Sequence, residues 1–262
     1  LPCRVRFREH SCAASPLLPP ALASSSCVAV RRKNIIMRKF VSLIVLIAVT
    51  LCLQLAHASA LAVSTSVDAD GVQGGRARVL IIGDSVFDAF DHVASARELL
   101  DSQQKTIFAV QGCQKLLEPG CFAWVKLSAL DQLRKNAGKF SDVVVIGTGY
   151  NDRIGTPFRD AVLAITNEAA AQGVDVIWIT YRQVRHVRGK AITMNKQLGK
   201  LDPKIENLHL ADWNLFSEGK EKSGWFRGDR LHLISPGANG LAQLINQAVS
   251  EVIANRELAK TS

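Results

Sequence analysis

Three short polar segments carry the residue types that nucleophilic catalysis needs. Gly83-Asp84-Ser85 offers a hydroxyl, Gly149-Tyr150-Asn151-Asp152 a side-chain amide, and Asp229-Arg230-Leu231-His232 a carboxylate and an imidazole. An Asp and a His three residues apart on a turn can meet. The carboxylate then holds one ring nitrogen and leaves the other to accept a proton from a serine. Together the segments supply a nucleophile, a base, an orienting acid and a donor for a developing oxyanion. Each has a plainer reading alone: a turn after a strand, an Asx-turn loop and a helix cap. Their common position relative to the surrounding elements favours chemistry.

Those elements alternate. Short apolar runs predict strands at 79–82, 106–110, 143–146, 174–180 and 208–211. Between them, helical patterns are predicted over 86–103, 127–136, 158–171 and 192–201. The last helix is the clearest, with Leu241, Leu244, Ile245, Ala248, Val249, Val252 and Ile253 on one face. Ser235 is its expected N-cap, and Pro236 suits its first turn. Continuous apolar strands alternating with helices predict a parallel α/β sheet covered on both faces. Five strands are too few for a (β/α)₈ barrel. In open parallel sheets, ligands bind beyond the carboxyl ends of the strands. Ser85 follows the first predicted strand, Asn151 follows the third, and Asp229 and His232 precede the last helix.

The chain has 262 residues, 48% hydrophobic and 21% charged, which excludes a disordered, collagen-like or coiled-coil protein. Its net charge of +9 is unevenly placed. Residues 1–60 hold eight Arg or Lys against one acid, Glu9, so the remainder has 24 basic and 22 acidic residues. The basic balance therefore belongs to the leader, and no nucleic-acid partner is expected. Residues 37–60 read as a secretory signal peptide: Arg38 and Lys39, an apolar run from Phe40 to Leu53, then Ala-x-Ala sites at 56–60. An uncleaved anchor over 40–53 is the alternative; with cleavage, no stable membrane insertion is expected. Residues 1–36 read as upstream sequence outside the fold, with a transit peptide as the alternative, residues 61–76 as a linker, and 77–258 as the catalytic domain.

Two of the six cysteines, Cys113 and Cys121, lie beyond the leader, around the turn signal Glu118-Pro119-Gly120. In an oxidising compartment they are expected to form a disulfide, with two free thiols as the alternative. No metal site is expected, and the P-loop, dinucleotide and Gly-x-Ser-x-Gly signatures are absent. A basic stretch at Arg182, Arg185, His186, Arg188 and Lys190, after the fourth strand near the site edge, reads as a solvated loop, with a receiver of anionic or polar polymer as the alternative. Trp124, Trp178, Trp213 and Trp225 are expected to pack in the core or the site wall, with a sugar platform as the alternative for Trp225, which lies close to His232 in sequence.

With its GDSV, GYND and DRLH segments in this order, the chain resembles the SGNH (GDSL-like) hydrolases over roughly residues 77–255. It looks most like small exported members similar to cell-wall acetyl esterases and O-acetyltransferases. The resemblance implies a flavodoxin-like α/β/α sandwich with strand order 2-1-3-4-5. It implies Ser85 as nucleophile, His232 as base and Asp229 as its orienter. It assigns the oxyanion hole to the Ser85 N–H, Asn151 and a glycine after the second strand, for which Gly112 is the positional match. Asp84, Gly149 and Asp152 are supporting positions of the same blocks. The chain differs from the commonest pattern at Val86, Cys113 and Arg230, which bears on substrate preference. The implied protein is an exported monomeric serine esterase for small acyl esters or acylated carbohydrate, needing no cofactor. Transfer of the acyl group to a cell-wall sugar and a non-catalytic binding module are the competing readings.

Overall fold

Five apolar runs become the strands of one sheet in the computed structural model, which describes residues 75–261. The expected upstream segment 1–36, the signal segment 37–60 and nearly all of the linker 61–76 lie outside the described residues. The strands are β1 (Arg78–Gly83), β2 (Lys105–Val110), β3 (Val143–Gly147), β4 (Asp175–Ile179) and β5 (Leu208–Ala211). All pairings are parallel and the order is 2-1-3-4-5, as the resemblance implies. Every residue of β3 and β4 is buried, because a parallel sheet is covered on both faces.

The strand pleat divides the core in two. Val79, Ile81, Val143, Val145, Ile177 and Ile179 face one side. There they meet α2 (Ala94–Gln103), through Ala96 and Leu100, and the long α7 (Ser235–Thr261). Leu80, Ile82, Val144, Ile146, Val176 and Trp178 face the other side. They pack against α3 (Ala129–Lys135), α4 (Thr156–Ala171) and α5 (Arg188–Leu201). The result is three layers. The expected apolar face of α7 is buried at Leu241, Leu244, Ile245, Val249 and Val252.

Three details differ from the sequence expectation. The helix expected over 86–103 is broken: a turn over 85–88 leads to α1 (Ala89–His92), and α2 starts afresh after Val93. Val93 takes φ −110 and ψ 90, an extended conformation that suits a β-branched side chain. Ser235 is not the cap of α7, since the Ile234 carbonyl already accepts from the Ala238 N–H at 2.9 Å. Finally, α5 begins at Arg188 instead of 192, continuing a 3₁₀ turn at Arg185–Val187. Between β5 and α7 lies one further short helix, α6 (Trp213–Phe216).

After β2 the chain enters a loop closed by a disulfide between Cys113 and Cys121, whose Cα atoms are 5.6 Å apart. The Cys121 N–H also donates to the Cys113 carbonyl at 3.2 Å. Closing a loop of eight-residue separation removes unfolded-chain entropy worth about 2–3 kcal/mol. The double variant Cys113→Ser, Cys121→Ser is therefore expected to lose that much unfolding free energy in urea titrations. Unchanged stability, or two cysteines alkylated without reduction in intact-mass analysis, would remove this contribution.

Candidate active site

Ser85 stands at the carboxyl end of β1, on the turn that Phe87 fastens to the sheet. A Cβ at Gly83 would lie 2.4 Å from the Phe87 Cβ, and one at Gly147 only 2.0 Å from the far end of its ring. The two strand-end glycines thus make the slot that Phe87 fills. The turn is closed by the Phe87 N–H donating to the Asp84 carbonyl at 2.9 Å. Helix α1, four residues long, follows this turn, so little helix dipole reaches Ser85.

His232 arrives from a different part of the chain. Phe226 and Leu233 pair as an isolated antiparallel bridge, and the Arg227 N–H donates to the His232 carbonyl at 2.8 Å. Alternation along this segment buries Leu231 and Leu233 and leaves the half-buried His232 on the opposite face. Its Nε2 lies 3.0 Å from the Ser85 Oγ, and its Nδ1 lies 2.6 Å from the Asp229 Oδ2. The other Asp229 oxygen accepts from the Leu231 and His232 N–H groups at 2.9 and 3.0 Å. Partial burial works against the Asp229 charge. The hydrogen bonds from the His232 ring and from those two N–H groups outweigh it and bring the carboxyl down to about 2.

Asn151 and Gly112 flank Ser85 through the strand order. β2 and β3 are the two neighbours of β1; Gly112 follows the first and Asn151 the second. The Asn151 Nδ2 donates to the Gln114 carbonyl at 3.2 Å, which orients the amide and leaves its second N–H. Among the described residues, no acceptor takes the backbone N–H of Ser85 or Gly112.

The supporting positions have distinct jobs. Gly149 takes φ 140, and a Cβ there would stand 2.1 Å from the Tyr181 hydroxyl. That hydroxyl donates to the Thr148 carbonyl at 2.7 Å and accepts from the Trp178 Nε1 at 3.0 Å, which anchors the turn. The Asp152 carboxylate accepts from the Leu116 N–H at 3.0 and 3.2 Å, tying this turn to the loop after β2. Asp84 is fully buried. Its Oδ1 accepts from the Val86 N–H at 3.1 Å, while its Oδ2 has no hydrogen-bond partner.

Arg182 is the residue that sequence reasoning placed wrongly. It belongs to no exposed basic run: it is buried, with its guanidinium 3.6 Å from the Phe226 ring centre. It donates to Ser217 Oγ at 3.1 Å, pairs with Glu221, and donates to the Arg230 carbonyl on the Asp229–His232 turn. Lys190 likewise donates to the Tyr150 carbonyl at 2.8 Å. Trp178 and Trp213 are core residues and Trp225 stacks on Trp213. Trp124 departs from the expectation of packing: it is 72% exposed and stacks on Phe122 with ring centres 4.6 Å apart.

This fold is that of the SGNH hydrolases. The C-terminal catalytic domain of Streptococcus pneumoniae peptidoglycan O-acetyltransferase A is similar at 19% identity and TM-score 0.52, over 69% of this chain and 97% of that one. A protein from Slackia heliotrinireducens assigned to the SGNH hydrolases is similar at 18% and 0.50, over 66% and 99%. The psychrotrophic esterase EstA from Pseudoalteromonas is similar at 16% and 0.52, over 67% and 98%. No protein-family model and no curated protein sequence matches the chain. Among the described residues, no helix is long and apolar enough to cross a membrane.

The buried Asp84 gives a pH-dependent stability. Burial raises its carboxyl to about 7 from 3.8, against the pull of the Val86, Tyr150 and Gly149 N–H groups. The folded protein therefore keeps a proton that the unfolded chain releases. This contribution is complete below pH ~4 and disappears as pH rises to ~7, a change on the order of 4 kcal/mol. Asp84→Asn cannot titrate. Urea unfolding from pH 4 to 8 is expected to show the parent losing stability relative to the variant across that window. A constant difference would place the Asp84 charge in the fold at all these pH values.

Proposed function

We propose that this chain is an exported serine esterase of SGNH type that cleaves small acyl esters, acetyl esters included. The observation that supports it most is the chain of contacts from the Ser85 Oγ through His232 to Asp229, at 3.0 and 2.6 Å. In this reading His232 Nε2 takes the Ser85 proton as the Oγ attacks the acyl carbon. Asp229, charged down to about pH 2, holds the Nδ1 proton and stabilises the imidazolium. The Ser85 N–H, the Gly112 N–H and the remaining Asn151 N–H hold the oxyanion. His232 then protonates the leaving alcohol, and a water that it activates releases the acid. Export rests on the signal-like segment 37–60 and agrees with the Cys113–Cys121 disulfide.

A second reading keeps the acyl-enzyme and passes the acyl group to a sugar hydroxyl. The likeness in fold to a peptidoglycan O-acetyltransferase domain favours it. Acid release and acylated-acceptor formation, measured together, separate the two.

The proposal makes different demands on Ser85 and Asn151. Ser85→Ala removes the nucleophile, and turnover of p-nitrophenyl acetate is expected to vanish. Asn151→Ala removes one oxyanion donor, so kcat is expected to fall roughly 10²–10³-fold with KM little changed. Both variants are expected to keep the parent's thermal midpoint. If Asn151 only ties its own loop, Asn151→Ala would instead melt early with near-parent kcat.

A further inference from the structure

Next to the turn that carries His232 is a pocket of about 380 Å³ whose walls include Arg182, Arg185, Arg188 and Arg230 against Glu218 and Glu221. Its charge is not balanced. Glu221 is engaged by the buried Arg182. Arg185, Arg188 and Arg230 are exposed and make no ion pair with any described residue. Three guanidinium groups therefore face Glu218 and, through Arg230, a share of the Glu221 charge. Two of them begin a helix. Arg185 opens the 3₁₀ turn that runs into the fourteen-residue α5, and Arg188 is the first residue of α5; no side chain caps this end and its first turn has no acid. The Arg188 N–H is already taken by the Arg185 carbonyl. A cation at a helix N-terminus opposes the helix dipole, so a bound anion would offset both the arginine charges and the dipole. Arg185 and Arg230 also hold left-handed backbones, at φ 42 and 61.

We propose that this pocket is a subsite for an anionic group, a carboxylate or a phosphate, on the alcohol part of the ester. The arginine fork fits the paired oxygens of either group. The alcohol side follows from connectivity. The leaving oxygen must sit beside His232 to receive its proton, and the pocket shares Arg230 with the turn bearing His232. This subsite rests on the esterase reading and adds the substrate class.

Three aryl acetates differing only in the remote group test it: methyl 4-acetoxybenzoate, 4-acetoxybenzoate and 4-acetoxyphenyl phosphate. At about 20 mM NaCl the parent is expected to show kcat/KM about tenfold higher for one or both charged esters, and the advantage is expected to fade near 500 mM. Whichever charged ester gains identifies the group. Arg188→Gln and Arg185→Gln, both on the surface, are each expected to cut the charged-to-neutral ratio by about tenfold. Equal kcat/KM for charged and neutral esters, or an advantage that survives both substitutions, overturns the subsite. Inorganic phosphate binding to the Ser85→Ala protein, followed by calorimetry, is read without turnover. It is expected, and expected to weaken in Ser85→Ala, Arg188→Gln. Its absence together with no gain for the carboxylate ester overturns the subsite, whereas absent hydrolysis of every ester with phosphate binding intact overturns the esterase reading alone.

Discussion

The hydrogen bond between Ser85 and His232 joins residues 147 positions apart, and the constraints of the fold converge on its 3.0 Å length. The proposed proton transfer needs that contact within a few tenths of an ångström, so both ends require rigid mounts. They share one. The turn after β1 is fastened by Phe87, and the turn before α7 by Leu231 and Leu233; all three side chains belong to the same core cluster, on the α2–α7 face of the sheet. Packing at interior density transmits position without slack. The glycines at the ends of β1 and β3 matter for the same reason, since any side chain there would displace the Phe87 ring and with it Ser85.

Two carboxylates in this region are driven to opposite ends of the pH scale for carboxyl groups. Asp229 is partly exposed and accepts three hydrogen bonds, and it lies near 2. Asp84 is fully buried, and it lies near 7 although backbone N–H groups of Val86, Tyr150 and Gly149 pull it down. Desolvation acts on both; the depth of burial decides the sign. The buried Arg182 meets its desolvation with partners instead. Its guanidinium finds Ser217, Glu221 and the Arg230 carbonyl, so its charge is compensated on every side. Through the Arg230 carbonyl it clamps the backbone between Asp229 and His232.

The sheet was legible because each of its strands is buried on both faces and therefore reads as a continuous apolar run, as in Val143-Val144-Val145-Ile146. The three polar blocks were legible because each falls where a strand ends or a helix begins. Less was legible where partners lie far along the chain. Nothing in Ser85-Val86-Phe87 says that a phenyl ring turns back into a slot made by Gly83 and Gly147, yet that turn is what interrupts the helix expected over 86–103. The run from Arg182 to Lys190 reads as one basic surface. Arg182 is buried by residues 35 to 48 positions later, and only Arg185 and Arg188 remain free of ion pairs with described residues on the pocket wall. Trp124 looks like a core residue by type, yet it is exposed and its ring stacks on Phe122, which is exposed as well.

The two halves of the proposed chemistry are mounted differently, and this has a consequence for substrate choice. The groups proposed for the oxyanion follow three adjacent strands, β2, β1 and β3, so their spacing is set by the sheet itself. Strand spacing cannot change without rebuilding the core. Asp229 and His232 sit instead on one turn, held by the Arg182 clamp and by the Phe226–Leu233 bridge. The walls beyond these groups come from loops: the disulfide loop at 113–121 on the β2 side and the arginine pocket on the β4 side. Loops can change length and charge with little effect on the sheet. In the proposed chemistry, acyl cleavage and the preference among esters are therefore physically separable. Two of the three residues at which the chain departs from the commonest family pattern, Cys113 and Arg230, lie on those variable walls; the third, Val86, is buried on the Ser85 turn itself.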